Sequence, residues 1–168
     1  RPVWLPGSAP HEANVAQRLG QFHGPYHAAL AAGVERVRAK HGVGVLYDCH
    51  SIRSVIPFLF EGTLPGFNVG TNLGVTCDNR IEAAVVDAVG AAKGITKVFN
   101  GRFKGGWTTR HYGRPAEGMH AIQMELSQAT YLASECPPFA YDPDKAEILR
   151  LHLKNVLERL EQAALALK

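Results

Sequence analysis

Gly42-Val43-Gly44-Val45-Leu46-Tyr47-Asp48-Cys49-His50-Ser51-Ile52-Arg53-Ser54 is the stretch on which the fold turns. Its first half is a short aliphatic run bounded by glycine, the composition of a buried strand. Its second half changes abruptly to Asp, Cys, His, Ser and Arg. In an extended chain successive side chains alternate between faces, so Asp48 and His50 project to one side and Cys49 to the other. In α/β proteins the carboxyl ends of strands are where ligands commonly bind. A carboxylate and an imidazole on one face suit a metal ligand with its neighbour, or an acid/base pair. A polar strand rim without chemistry suits the same residues. Cys49 as a nucleophile beside His50 is disfavoured by the same alternation.

Upstream, residues 1–10 are Pro-rich and read as an arm, and residues 11–41 follow a helical pattern. The Gly24-Pro25 pair predicts a break, with a second helix starting at Pro25 and a stripe of Tyr26, Ala29, Leu30, Gly33, Val34 and Val37. His23 and His27 are four apart, a spacing that can hold a metal, but Pro25 lies between them and no neighbouring carboxylate completes an H-E-x-x-H motif. A structural or surface role is expected. Downstream, residues 51–79 have little periodicity and many glycines and prolines, which predicts mostly loop. Phe58, Leu59, Phe60 and Phe67 make that loop an ordered lid or pocket wall. Asn68-Val69-Gly70-Thr71-Asn72 offers side-chain amides for a polar ligand, and equally suits turn chemistry.

Asp78 reads as the cap of a helix through about Ala92, with Ile81, Val85, Val86 and Val89 on one face. A short strand over 95–99 leads into a glycine-rich stretch, residues 100–115, that carries Arg102, Lys104, Arg110 and Arg114 among aromatics. Its spacing does not match a phosphate-binding P-loop, and planar guanidinium groups suggest a pocket for carboxylates. A strand over 119–126 alternates, with Ala121, Gln123 and Glu125 facing one way. A carboxylate at Glu125, inside an otherwise apolar strand, is either paired structurally or suited to proton transfer. Asp142-Pro143 then caps a long amphipathic helix marked by Ile148, Leu149, Leu153, Val156, Leu157, Leu160, Ala164 and Leu167.

These elements predict one α/β domain over residues 1–168, a largely parallel sheet flanked by helices. The length of 168 residues suits a single domain with a true core, and the formal charge of +3 is spread without a basic run. Nucleic acid is therefore not an expected partner, and no stretch approaches the roughly 20 apolar residues of a membrane span. Cys49, Cys77 and Cys136 lack a C-x-x-C pair, so reduced thiols and a cytoplasmic location are expected.

Four blocks taken together resemble the N-formylglutamate amidohydrolase (deformylase) family. They are Asp48-Cys49-His50-Ser51-Ile52-Arg53-Ser54, Phe67-Asn68-Val69-Gly70-Thr71-Asn72, the stretch from Asn100 to Gly113, and Gln123-Met124-Glu125-Leu126. Pro25-Tyr26-His27 and Pro137-Pro138-Phe139 extend the likeness. More distantly the chain is similar to zinc carboxypeptidases and aspartoacylases. The resemblance implies a mixed, phosphorylase/hydrolase-like α/β fold and zinc-dependent hydrolysis of N-formyl-L-glutamate to glutamate and formate in histidine degradation. It further implies His50 as a zinc ligand, Asp48 as that ligand's neighbour, Glu125 as general acid/base, and Arg53, Arg102, Arg110 and Asn68 as contacts for a small anionic N-acyl amino acid. A related N-acyl amino acid amidohydrolase is the alternative enzyme. A catalytic zinc takes about three protein ligands, and the related enzymes draw a His, an acidic ligand and an Asn-Arg motif from a preceding segment that has no match here. The expectation is a C-terminal part of a longer amidohydrolase, lacking its N-terminal strands and the remaining zinc ligands. By itself the chain is then a non-catalytic fragment or a small-anion binding module.

Overall fold

The structure, a computed structural model, describes residues 3–167. Its sheet has four strands, β1 (Gly44–Ile52), β2 (Phe67–Gly70), β3 (Lys97–Phe99) and β4 (Met119–Ser127), in the order β1-β4-β2-β3. β1 runs parallel to β4 and β2 parallel to β3, while β2 and β4 are antiparallel. The α/β class and the mixed, mostly parallel sheet agree with the sequence. β1 extends through His50 and Ser51 to Ile52, so the polar residues lie within the strand rather than after it.

Strand β2 corrects the expectation that residues 51–79 are mostly loop. Its four residues are all buried, on both sides of the sheet. A strand covered on both faces has no reason to alternate, so the periodicity that betrays other strands is missing here. Phe67, expected in a lid, is a fully buried core residue.

The sheet has an apolar and a polar face. On the apolar face, Phe67, Val69, Ile122 and Met124 pack against helices α3 (Asn79–Gly90) and α5 (Pro143–Leu165) through Ile81, Val85, Val89, Leu149, Val156 and Leu160. Fully burying a side chain of this kind contributes about 1.5–3 kcal/mol relative to leaving it in water. Both helices begin as the sequence predicts. Asp142 accepts hydrogen bonds from the N–H groups of Asp144 (3.1 Å) and Lys145 (3.0 Å), with Pro143 next in line. Asp78 accepts from the N–H of Arg80 at 2.9 Å and from its guanidinium at 2.9 Å. At the other end of α3, the Lys97 ammonium donates to the carbonyls of Gly90 (2.6 Å) and Ala92 (2.9 Å), where a cation complements the helix dipole.

The N-terminal arm departs from expectation. Helix α1 (Glu12–Arg18), a π-helical turn (Leu19–His23) and α2 (Gly24–His41) run on without a break, and His23 and Gly24 keep helical dihedrals. The wide turn falls just before Pro25, whose missing N–H cannot close an ordinary helical bond. Of α2 only Val34 is buried; Tyr26 and Val37 of the expected stripe are exposed, as are Val15, Leu19 and Phe22 before them. The expected stripe does not form one buried side: Leu30, Val34 and Arg38 turn inward, while Tyr26, Ala29 and Val37 are exposed. Among the described residues, no helix is long and apolar enough to cross a membrane.

The cap of α3 has a pH signature. The hydrogen bonds from Arg80 hold the Asp78 carboxyl down at about 2. A depressed carboxylate stabilises the fold above its unfolded value of about 3.9, and that contribution is lost as pH falls toward the folded value. Asp78→Ala is therefore expected to lower the melting temperature at pH 7, with the gap from the parent closing between about pH 4 and pH 2. Thermal scans across that range check it, and a gap independent of pH would contradict it.

Candidate active site on the polar face of the sheet

The register builds the site. His50 is opposite Glu125 across the β1–β4 ladder, and Glu125 is opposite Asn68 across the β4–β2 ladder. The next rung is Asp48, Gln123 and Gly70. Residues opposite one another in a sheet share a face, so Asp48, His50, Gln123, Glu125 and Asn68 form one polar surface. This face lies opposite the core.

His50 and Asp48 are joined, with Nε2 of the imidazole 3.0 Å from Oδ1 of the carboxylate. The His50 side chain is 48% exposed, whereas that of Asp48 is 17% exposed. The other Asp48 oxygen, Oδ2, accepts from the hydroxyl of Thr109 at 3.4 Å, and Thr109 itself is fully buried. Asp48 is thus anchored from helix α4 (Trp107–Tyr112) and holds the ring through Nε2. That leaves Nδ1 as the nitrogen able to meet an electrophile. One imidazole falls short of the three protein ligands of a catalytic zinc. Among the described residues, no group of three or more His, Cys, Asp or Glu side chains is arranged to hold a metal. His50 fits zinc as one ligand of a set, and the residues of this chain do not make a zinc site by themselves.

Glu125 is buried, and burial is the main cause pushing its carboxyl above the usual range, with Asp48 adding to it and His50 and Gln123 opposing. A carboxyl raised in this way is better suited to accept and return a proton than an ordinary carboxylate. Asn68 is 1% exposed; its amide donates to the carbonyls of Pro65 (2.7 Å) and Glu125 (3.0 Å). Its Oδ1 is buried without a partner. Unpartnered polar atoms inside proteins are uncommon, and one beside Glu125 is an acceptor available to a ligand.

Gln123, which is not among the residues predicted for the site, ties it together. Its Oε1 accepts from the N–H of Gly106 at 2.6 Å, and its Nε2 is 3.5 Å from Oε2 of Glu125. The signal was legible, because alternation placed Gln123 on the same side as Glu125. Helix α4 was not foreseen. It is only six residues long, and the glycines before it read as loop.

The arginine loop arrives by a different route than the sequence suggested. In a largely parallel sheet the loop after β3 would leave from the same end as His50. Instead β3 runs opposite to β1 and β4, and residues 100–106 cross the polar face one rung below Glu125. The crossing is close: the N–H of Asn72 donates to the carbonyl of Lys104 at 2.6 Å, and a Cβ on Gly70 would lie 2.5 Å from the backbone nitrogen of Gly105. Only glycine fits there. Arg102 donates through Nε to the carbonyl of Leu59 (3.1 Å), and Arg110 through Nη1 to that of Gly105 (2.6 Å). Phe60 meets Phe103 edge-on at 6.3 Å, so part of the expected wall does pack on this loop, while Phe58 is exposed. Arg53 is exposed just beyond β1 and shares a surface cavity with Ser51, Tyr131 and Phe139. Among the described residues, none of Arg53, Arg102 and Arg110 forms an ion pair or hydrogen bond with Asp48, His50 or Glu125.

The remaining candidates sit apart. Cys49 is exposed on the face opposite His50, and burial of its sulfur together with the Asp48 charge pushes the thiol up, away from nucleophilic thiolate. The rings of His23 and His27 lie 4.3 Å apart, and His27 Nδ1 is 2.7 Å from the Tyr112 hydroxyl. With Trp107, which meets the His27 ring at 4.8 Å, they form an aromatic contact between α2 and α4.

The Asp–His pair and the buried glutamate thus lie in adjacent strands of an α/β sheet. The family model described as N-formylglutamate amidohydrolase matches residues 1–132. An N-formylglutamate deformylase of Pseudomonas aeruginosa is 45% identical over 160 residues, covering 95% of this chain and 60% of its own length. That of Pseudomonas putida is 43% identical over 159 residues, covering 95% and 59%. A crystal structure of N-formylglutamate amidohydrolase from Ralstonia eutropha JMP134 superposes with a TM-score of 0.70 at 26% identity, over 90% of this chain and 53% of the other. The chain belongs to the N-formylglutamate amidohydrolase family. It spans about 60% of the length of the curated relatives.

Gly70→Ala is expected to lift the loop that crosses the polar face, because the new methyl would meet backbone rather than a movable side chain. The expected cost is roughly 1–3 kcal/mol of stability, with faster hydrogen exchange at Gly105 and Gly106 than at β4. Unchanged exchange and melting temperature would mean that the loop does not rest on this contact.

Proposed function

We propose that this chain carries the proton-transfer half of an N-formylglutamate deformylase, and that the complete enzyme hydrolyses N-formyl-L-glutamate to L-glutamate and formate. The pairing of His50 with Glu125 on one rung, with Asp48 holding the imidazole by Nε2, is the observation that carries this reading. The names of the Pseudomonas relatives support the substrate. Histidine degradation in the cytoplasm is the proposed setting, supported by the resemblance and by the free cysteines.

Zinc is proposed as the cofactor, with His50 one ligand and the others supplied by sequence outside this chain. When bound, its chemistry is Lewis-acid polarisation of the formyl carbonyl. Glu125 takes a proton from the attacking water as the oxygen adds to the formyl carbon, then delivers it to the amide nitrogen as the C–N bond breaks. One proton leaves the water and one reaches the amine, so the products balance as formate and glutamate. Burial raises the proton affinity of Glu125, which favours both transfers, and Asp48 keeps the His50 ring in one orientation. Arg53, Arg102 and Arg110 are the proposed anchors for the two substrate carboxylates. Asn68, whose Oδ1 is unpartnered, is the proposed acceptor for the substrate amide N–H. The lone imidazole ligand favours a second reading of the chain by itself, a small-anion binding module without turnover.

The test joins this chain to the part of the Pseudomonas aeruginosa relative that has no counterpart here, and measures metal content and formate release. Stoichiometric zinc and formate from N-formyl-L-glutamate are expected. His50→Ala is expected to lose both zinc and activity. Glu125→Gln is expected to keep zinc while turnover falls about 10²–10⁴-fold. Normal turnover in both variants would overturn the mechanism, and a joined protein that binds glutamate but releases no formate would favour the binding module.

A further inference from the structure

We propose that Tyr112, held by His27, is a positioning residue for the reaction: it fixes helix α4 so that Thr109 stays on Asp48 and Asp48 stays on the His50 ring. The inference rests on the reading of Asp48 and His50 as parts of the active site. α4 is six residues long, and Gly106 at its N-cap gives it no side-chain hydrogen bond. A helix this short does not stand by itself in water, so its place is decided by what it touches. Toward the sheet, Thr109 is fully buried and its hydroxyl reaches Oδ2 of Asp48 at 3.4 Å. That is the long end of a hydrogen bond, where a small movement of the donor decides whether the bond is kept. The link from α4 to the imidazole therefore depends closely on where α4 is held.

The hold comes from α2. Tyr112 is buried, with Nδ1 of His27 2.7 Å from its hydroxyl oxygen and the backbone carbonyl oxygen of His27 3.2 Å away. Both contacts are satisfied at once when Nδ1–H donates to the phenol oxygen and the phenol O–H donates to the carbonyl. Burial pushes the Tyr112 phenol up, which keeps it a donor. The two rings stack with centroids 6.0 Å apart, and Trp107 closes the contact edge-on to His27 at 4.8 Å. Among the described residues, these are the only hydrogen bonds between α2 and α4. Immediately after α4, Gly113 lies so close to Thr76 that a Cβ would stand 2.6 Å from the Thr76 carbonyl oxygen. Thr109 and Tyr112 are three apart and so are neighbours on the helix surface. A roll of α4 that frees the phenol also carries the Thr109 hydroxyl away from Asp48. Among the described residues, neither His27 nor Tyr112 hydrogen-bonds Asp48, His50 or Glu125, so both act through α4 and not on the reacting atoms.

The experiment has two arms. In this chain, without metal or substrate, Tyr112→Phe keeps the buried ring and removes both bonds to His27. The amides of Arg110 and Gly113, which donate to the carbonyls of Gly106 and Thr109 within α4, are expected to exchange at least about tenfold faster, with those of β4 unchanged. The second arm uses this chain joined to the unmatched part of the Pseudomonas aeruginosa relative. There Tyr112→Phe is expected to lower kcat for N-formyl-L-glutamate about tenfold. Arg110 and Arg102 keep their own bonds to the carbonyls of Gly105 and Leu59, so KM is expected to stay within about twofold of the parent. His27→Ala is expected to repeat the loss. His27→Asn, whose amide N–H stands where Nδ1–H stood, is expected to recover most of it. Thr109→Val also lowers kcat, and adding Tyr112→Phe to it is expected to cost less than about twofold more, since the two act in series. Equal acceleration of exchange in β4 would mean a loosened fold and overturn the proposal. So would unchanged exchange in α4, a loss confined to KM, no recovery with asparagine, or full additivity with Thr109→Val. A joined parent that releases no formate would overturn the function proposed above, and with it the role given to Tyr112.

Discussion

The molecule depends on where β4 sits. It is paired on both sides, with β1 parallel to it and β2 antiparallel, and all but one of its residues are buried. Ile122 and Met124 are held in the core, so Gln123 and Glu125 have no choice but the opposite face. A slip of one residue in either ladder would carry Glu125 into the core and Met124 onto the polar surface, a large penalty in both directions. The chemistry of the site is therefore secured by hydrophobic packing on the far side of the sheet. His50, Glu125 and Asn68 stay on one rung because Phe67, Ile122 and Met124 cannot leave theirs.

The polar face is held from above as well. Residues 100–106 lie over the rung of Asp48, Gln123 and Gly70, close enough that only glycine at position 70 lets the backbones approach. From this crossing Gly106 engages Gln123, Gln123 reaches Glu125, and Thr109 engages Asp48. The loop that bears Arg102, and helix α4 that bears Arg110, are thereby linked through polar contacts to Glu125 and to the Asp48–His50 pair. That arrangement ties the orientation of Asp48 and Glu125 to the position of the crossing segment. Such support of reacting side chains by the residues behind them is what keeps a site within the narrow tolerances of catalysis.

Exposure is distributed unevenly. The face covered by α3 and α5 is closed by fully buried aliphatic residues, while the α1–α2 arm shows Val15, Leu19, Phe22 and Tyr26 to solvent and β1 has an open edge. Contiguous apolar surface of this kind marks contact with further polypeptide.

Much of this was legible from residues in order. Alternation put Asp48 with His50 and Gln123 with Glu125; Asp78 and Asp142-Pro143 marked helix starts; and the 3.6-residue spacing found the buried faces of α3 and α5. These features are local, because backbone geometry fixes which side chains share a side. Other features were not local and could not be read. Burial of Phe67 to Gly70 on both faces erased the alternation that would have shown β2. The antiparallel pairing of β2 with β4 reversed β3, so the arginine loop reaches the site across the face rather than from a strand end. In α2, periodicity aligned Tyr26 with Val37, yet whether that side meets a neighbour depends on distant chain. The sequence by itself determined which residues face together and supplied the imidazole and carboxylates of the site. Only the tertiary structure decided which strands are neighbours and in which direction, because pairing is settled by long-range burial and hydrogen bonding that no short window contains.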